Sequence, residues 1–119
     1  GTLAERIRAA GAGIGGFLTP TGYGTLLAEG KETRVIDGRG FVMEQPLPAD
    51  FALLRAEQGD PWGNLRYHGT ARNFNPIMAT GARHSIAEVR HLSPAPLEPE
   101  HVITPGVFIK SVVEYKVRP

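Results

Sequence analysis

Glycine is concentrated near the start of the chain, where six of the fourteen residues from Gly11 to Gly24 are glycine. The first part of this run, GAGIGG, has the G-x-G-x-x-G spacing of loops that bind a dinucleotide pyrophosphate. Such a loop must follow a strand and open a helix. Here the preceding stretch TLAERIRAA predicts a helix, and Pro20, Gly22 and Gly24 interrupt the stretch that follows. The sequence therefore excludes a dinucleotide loop and leaves two interpretations, a pocket wall or a packed turn.

The helix before the glycines is predicted over residues 2–10. Thr2 and Glu5 have the spacing of a capping box, and Gly11 and Gly13 are expected to end the helix. The stretch 11–24 is expected to be a loop.

The remainder predicts an α/β or α+β chain with five or six strands and one further helix. Asp37-Gly38 predicts a hairpin turn, and Pro76 places the start of the second helix near Asn75. The Pro-rich run 92–101 is expected to be an exposed connection. Strands are predicted at 34–36, 41–43, 50–56, 65–68, 85–90 and 107–115.

Composition excludes several classes of protein. The net charge is +1 without a basic stripe, which is atypical of nucleic-acid binding. The chain has no cysteine and no apolar run near the ~20 residues of a membrane span. The four histidines lack metal-ligand spacing, and no G-x-S-x-G nucleophile motif is present. We therefore expect no metal site, no nucleic-acid partner and no membrane partner.

Two polar features remain as candidates. In ARNFNP, Asn73 and Asn75 could orient a carbonyl group or close a turn, and both interpretations stay open. Glu44 follows an apolar triplet, so it is expected to be partly buried. A buried carboxylate can be functional, but one paired with an arginine is commoner.

Five long segments of the sequence resemble one protein family. These are GTLAERIRAAGAG, FLTPTGYGTLLAEGKETR, ADFALLRA, WGNLRYHGTARNFNPIMAT and EHVITPG. In this order they are similar to the second half of the A (alpha) subunit of family I CoA-transferases. The segments IRAAGAGIG and TGYGTLLAEGKETR are more similar to the family members that act on 3-oxoadipate, while the segment GGFLTPTG is equally similar to the acetate/acetoacetate type.

The resemblance implies an α/β, three-layer fold of the NagB/RpiA type, of which this chain is the strand-rich second half. It implies a cytoplasmic enzyme of two A and two B subunits that transfers CoA from succinyl-CoA to a 3-oxo acid. In the family a glutamate of the B (beta) subunit, within an S-E-N-G motif, forms the thioester intermediate. That motif is absent here, so no catalytic residue is expected in this chain. Coenzyme A thioester is a substrate, and no permanently bound cofactor is expected.

The resemblance also implies that residues 1–119 are the C-terminal part of one A-subunit domain. In the family a glutamine just before the GTLAER word donates to the oxyanion, and here the chain starts at Gly1. The expected partners are the N-terminal half of the A subunit, a B subunit, an acyl-CoA and a short carboxylic acid, and the chain alone is expected to be inactive. The alternatives are an acetate/acetoacetate enzyme or a non-catalytic assembly module. The residues expected to bind substrate are Gly15, Gly16, Phe17 and Tyr23, with Asn73 and Asn75 as second choices.

Overall fold

The computed structural model describes residues 1–116, which form two helices and seven strands. The helices are α1 (Thr2–Ala12) and α2 (Asn75–Gly81). The strands are β1 (Phe17–Thr19), β2 (Thr33–Ile36), β3 (Arg39–Glu44), β4 (Ala49–Gly59), β5 (Leu65–Arg66), β6 (Ala82–Leu92) and β7 (Ser111–Glu114). The predicted α/β class is confirmed, with more strands than the five or six expected.

The strands form two separate sheets along an elongated molecule of 55 × 30 × 26 Å. A three-stranded antiparallel sheet has the order β1-β3-β2, and a four-stranded sheet has the order β5-β4-β6-β7. In the second sheet β4, β6 and β7 are parallel, while β5 is antiparallel to the end of β4. Because parallel neighbours need a crossover, α2 connects β4 to β6.

The hydrophobic core lies between α2 and the four-stranded sheet. Alternate residues of β4 and β6 point into it, as a half-buried strand requires. Tyr67 is buried beside this core, and its hydroxyl lies 2.7 Å from Oγ1 of Thr104. Burial raises the pKa of Tyr67, and the hydrogen bond with Thr104 counters part of that rise. The buried core residues are Ala52, Leu54, Ala56, Leu65, Tyr67, Ala79, Ala87 and Val89.

The local turn chemistry confirms two sequence predictions. Asp37 and Gly38 both have positive φ, 50° and 78°, and they join β2 to β3 as the Asp-Gly pair predicted. The second helix begins at Asn75 with Pro76 in its first turn, where the missing N–H of proline costs nothing.

The predicted capping box is wrong. Gly1 is the N-cap, and no side chain caps the helix. Gly11 lies inside α1, which ends only at Gly13, whose φ of 71° is the left-handed conformation that glycine favours. Glycine is required at position 11 because α1 packs closely on Thr80 there.

Other boundaries also differ from the sequence predictions. The stretch expected to be a loop contains β1, which pairs with β3. The last strand covers only 111–114, because residues 106–108 form a 3-10 turn that precedes it. Within the Pro-rich run Leu97 is buried, although most of its neighbours are exposed as predicted.

Within residues 1–116, no helix combines the length and the apolar character that crossing a bilayer requires.

Candidate functional site

A cleft of about 210 Å³ lies at the N-terminus of α1. The first two turns of α1 form one wall, the segment between β1 and β2 forms another, and the end of β3 closes it. The chain thus reaches this cleft from three separate stretches of sequence. The lining residues are Thr2, Leu3, Arg6, Thr21, Leu27, Lys31 and Glu44.

Glu44 is the buried charge of the cleft, with only 6% of its surface exposed. Its Oε1 accepts a hydrogen bond of 2.7 Å from the Nζ of Lys31. Its Oε2 lies 4.0 Å from the Nε of Arg6, which donates to the carbonyl oxygen of Gln45 at 2.8 Å. Because two cations surround one carboxylate, the cleft carries a net charge of one positive unit. The predicted burial of Glu44 is confirmed, but the cation that hydrogen-bonds to it is Lys31, whereas an arginine was the expected partner.

The first turn of α1 adds to this positive character. Gly1 is the N-cap and offers no side chain to the free N–H groups of the first turn. The helix dipole favours negative charge at such an end. The cleft therefore suits an anionic or strongly polarised oxygen.

The glycine-rich segment packs against β3 beside this cleft. Gly16 comes so close to β3 that an added Cβ would lie 3.1 Å from the Sδ of Met43. Phe17 pairs with Glu44 in the sheet register. Tyr23 lies against Gly40, where any Cβ would collide with its ring. Gly15 has open space around it.

Asn73 and Asn75 lie at the start of α2, the helix that packs on the four-stranded sheet. Asn75 Nδ2 donates to the carbonyl oxygen of Ala71 at 2.8 Å, and Oδ1 accepts from the backbone N–H of Arg55 at 3.1 Å. Both ends of this amide are thus engaged within the chain. Asn73 ends the 3-10 turn before α2, and its backbone N–H donates to the carbonyl oxygen of Thr70.

The structure therefore divides the predicted site residues into two groups. Gly15, Gly16, Phe17 and Tyr23 belong to the three-stranded sheet and the segments beside it, while the two asparagines lie at the start of α2, which packs on the four-stranded sheet.

Sequence reasoning missed most of the lining of the cleft. Arg6 was part of a predicted helix, and Lys31 lay in an unassigned stretch after the glycines. The word AEGKET, which contains Lys31, carried part of the family resemblance and was the available signal.

A second buried carboxylate was also missed. Asp60 is fully buried, and its oxygens accept from the backbone N–H groups of Trp62, Asn64 and Leu97 and from Asn64 Nδ2, all at 2.9–3.0 Å. Burial alone would raise the pKa of Asp60, but these hydrogen bonds outweigh it and lower the pKa below its ordinary value. Asn64 Oδ1 also accepts from the N–H of Gly106. Asp60 thus links the turn at 60–64 to the loop that contains Leu97, and Asn64 links the same turn to Gly106. The role of Asp60 is therefore structural.

A larger groove of about 480 Å³ lies at the amino ends of β4 and β6, in the four-stranded sheet. It contains Asp50 and Arg83, whose charged atoms are 3.9 Å apart and mostly exposed. Ligands of open parallel sheets bind at the carboxyl ends of the strands, so this groove is the weaker candidate. Among the described residues, no three His, Asp or Glu side chains are grouped to hold a metal ion.

Comparison with known proteins gives a consistent picture. The family model described as coenzyme A transferase matches residues 1–115. The 3-oxoadipate CoA-transferase of Pseudomonas putida has an A chain that is 63% identical over 114 residues, which cover 95% of this chain and 49% of that protein. The alpha chain of the acetate CoA-transferase of Escherichia coli K12 is 49% identical over 114 residues, covering 95% of this chain and 52% of that protein. The chain thus spans about half the length of both curated relatives.

The fold is shared with a solved enzyme. The acyl-CoA transferase YdiF of Escherichia coli O157:H7, solved as a thioester complex with CoA, superposes with a TM-score of 0.82 at 20% identity. The match covers 96% of this chain and 26% of that chain. The predicted CoA-transferase-like fold is therefore confirmed.

Proposed function

Because the chain belongs to the coenzyme A transferase family, we propose that it supplies one part of the active site of a CoA-transferase A subunit. The complete enzyme moves CoA from succinyl-CoA to a short 3-oxo acid. The nucleophile is a glutamate of a B subunit, which forms a thioester with CoA. Two facts support this division of labour: the relatives are named as one subunit of such enzymes, and the S-E-N-G motif is absent from this sequence.

The observation that carries the proposal is the position of the cleft at the N-terminus of α1. The resemblance places an oxyanion-binding glutamine immediately before Gly1, which is the N-cap of α1. That donor would stand at the mouth of the cleft, beside Arg6 and Lys31. Donors fixed in advance around a developing oxyanion stabilise it because they need no reorganisation during the reaction.

The glycine-rich segment has a supporting role in this proposal. Thr21 and Leu27 wall the cleft, and Gly16 and Phe17 hold β1 against β3, the strand that carries Glu44. Tyr23 and Gly15 remain predicted contacts of the substrate or the partner subunit. Both amide ends of Asn75 are engaged, so it would act by positioning β4 rather than by binding substrate.

The preferred acceptor is 3-oxoadipate. The relative with that activity in its name is 63% identical, against 49% for the acetate enzyme. Acetate or acetoacetate is the alternative acceptor.

The test is reconstitution. This chain is combined with the other half of its A subunit and with a B subunit, and CoA exchange from succinyl-CoA is measured with 3-oxoadipate, acetoacetate and acetate. We expect the highest kcat/KM with 3-oxoadipate, a trapped thioester on the B subunit by mass spectrometry, and no turnover by this chain alone. A complete complex that exchanges no CoA with any of these acids would instead show a non-catalytic assembly module. The cytoplasmic location stays a prediction.

A further inference from the structure

Strand β4 has an open edge along most of its length. In the order β5-β4-β6-β7, β5 pairs with β4 only at Gln58 and Gly59. Among the described residues, positions 49–57 of β4 are paired on the β6 side alone. An open edge presents N–H and C=O groups that can pair with a further strand.

An apolar groove of about 340 Å³ runs beside this edge. Leu53 and Phe51 of β4 border the groove from the sheet face opposite to the buried Ala52. They are 74% and 60% exposed, which is unusual because parallel sheets are normally covered on both faces. Every residue that lines the groove is apolar or glycine. The lining is Leu3 and Ile7 of α1, Phe74, Met78 and Gly81 at α2, and Leu47, Ala49, Phe51, Ala52 and Leu53 on or just before β4.

The arrangement of the helices indicates what belongs in the groove. Helix α2 is the crossover between the parallel strands β4 and β6. Helix α1 packs beside α2, with Ile7 against Gly81 and Gly11 against Thr80. Unlike α2, α1 does not connect two strands of the four-stranded sheet within the described residues. Repeating the strand–helix–strand unit places a strand before α1, parallel to β4 and on its open edge. Both crossovers would then have the same hand, as parallel sheets require.

We propose that the open edge of β4 pairs with a parallel strand from the part of the A subunit that precedes α1, and that side chains of this strand fill the groove. This inference rests on the proposed function for the identity of that part. Leu3 lines the groove two residues after Gly1, so preceding polypeptide would emerge beside it. The chain also spans only 49% of the Pseudomonas relative, which leaves ample length for such a strand.

The structure also sets the length of the added strand. The backbone N–H of Arg55, which points to the open edge, is already taken by Oδ1 of Asn75. β5 occupies the edge from Gln58 onward. The pairing is therefore limited to positions 49–54, which is a typical strand length of about five or six residues. Main-chain hydrogen bonds would supply affinity, and the groove would select apolar side chains at alternate positions.

The experiment is association of two halves. This chain carries an affinity tag and is co-expressed with the preceding half of the same subunit as a separate polypeptide. Leu53→Asp is compared with Val107→Asp, since Val107 is 86% exposed in a 3-10 turn outside the groove. We expect Leu53→Asp to reduce the co-purified half at least tenfold and Val107→Asp to leave it unchanged. Leu53 is exposed, so its substitution spares the core of this chain, and circular dichroism checks this.

Hydrogen exchange gives a second readout without any substitution. Amides at alternate positions of a strand point to the same side, so those of Phe51 and Leu53 share the open edge with that of Arg55. We expect the hydrogen-exchange rates of the Phe51 and Leu53 amides to fall at least tenfold on association. Equal co-purification of the two variants, or unchanged exchange at both amides, would overturn the proposal. So would dimers of this chain alone that Leu53→Asp abolishes, because a second copy would then be the occupant. Neither readout uses CoA exchange, so a complex that pairs through β4 but has no activity would refute only the proposed function.

Discussion

Replacing Asp60 by asparagine removes one acceptor oxygen from a carboxylate that accepts hydrogen bonds from four N–H groups. Each carboxylate oxygen accepts two of these bonds: Oδ1 those from Trp62 and from the backbone of Asn64, Oδ2 those from the Asn64 side chain and Leu97. Whichever way the new amide turns, its NH₂ group faces two donors, so two partly or fully buried N–H groups lose their acceptor.

The magnitude follows from that count. An unsatisfied buried donor costs about 1–3 kcal/mol, so two give about 2–6 kcal/mol. The neutral amide is easier to bury than a carboxylate, which offsets part of this. We expect Asp60→Asn to lower the free energy of unfolding by about 3 kcal/mol, a large share of the about 5–15 kcal/mol of a typical domain. In urea the unfolding midpoint should fall by about 1–3 M with an unchanged slope.

The matched control is Asp50→Asn. Asp50 lies 3.9 Å from Arg83, both side chains are about 80% exposed, and such a pair contributes about 0–1 kcal/mol. The pH dependence supplies a further check on Asp60. Because its folded pKa is lowered, its contribution is fully present above the unfolded pKa of about 3.9 and is lost as pH falls through the folded pKa. The difference between wild type and Asp60→Asn should therefore shrink below about pH 4. An undiminished difference at pH 3, or an effect at pH 7 no larger than that of the control, would refute this reasoning.

Three further predictions concern the cleft and its surroundings. Lys31→Met leaves the buried Glu44 carboxylate with only a distant cation, so the free energy of unfolding should fall by about 1–3 kcal/mol. Adding Glu44→Gln should recover most of this loss, as a double-mutant cycle measured by urea unfolding would show. Additive effects of the two substitutions would contradict the pairing. Gly13→Ala should destabilise by about 1–2 kcal/mol because of its positive φ, whereas Gly15→Ala, with open space around it, should change thermal unfolding little; equal effects would contradict the structure. Gly40→Ala should lower the melting temperature because the added methyl group displaces the ring of Tyr23, which covers this glycine. In a Tyr23→Ala background the same substitution should cause no such loss.

Local rules predicted the elements whose structure depends on neighbouring residues. The hairpin at Asp37-Gly38 and the helix starting at Asn75 follow from the φ that glycine, aspartate and proline allow. The sequence also predicted strands at 50–56 and 85–90, within β4 and β6, but it did not predict that buried and exposed residues alternate along β4. The capping box failed because the backbone of Gly1, rather than the side chain of Thr2, begins α1.

The sequence by itself determined the class of fold, the family and the burial of Glu44, because periodicity, turn residues and long shared words are properties of contiguous sequence. Only the tertiary structure decided which distant residues meet. The partners of Glu44 are thirteen and thirty-eight positions away, and Asp60 accepts from Leu97 across thirty-seven. The open edge of β4 was equally invisible, since strand order depends on long-range pairing and no local pattern encodes which side of a strand is left free.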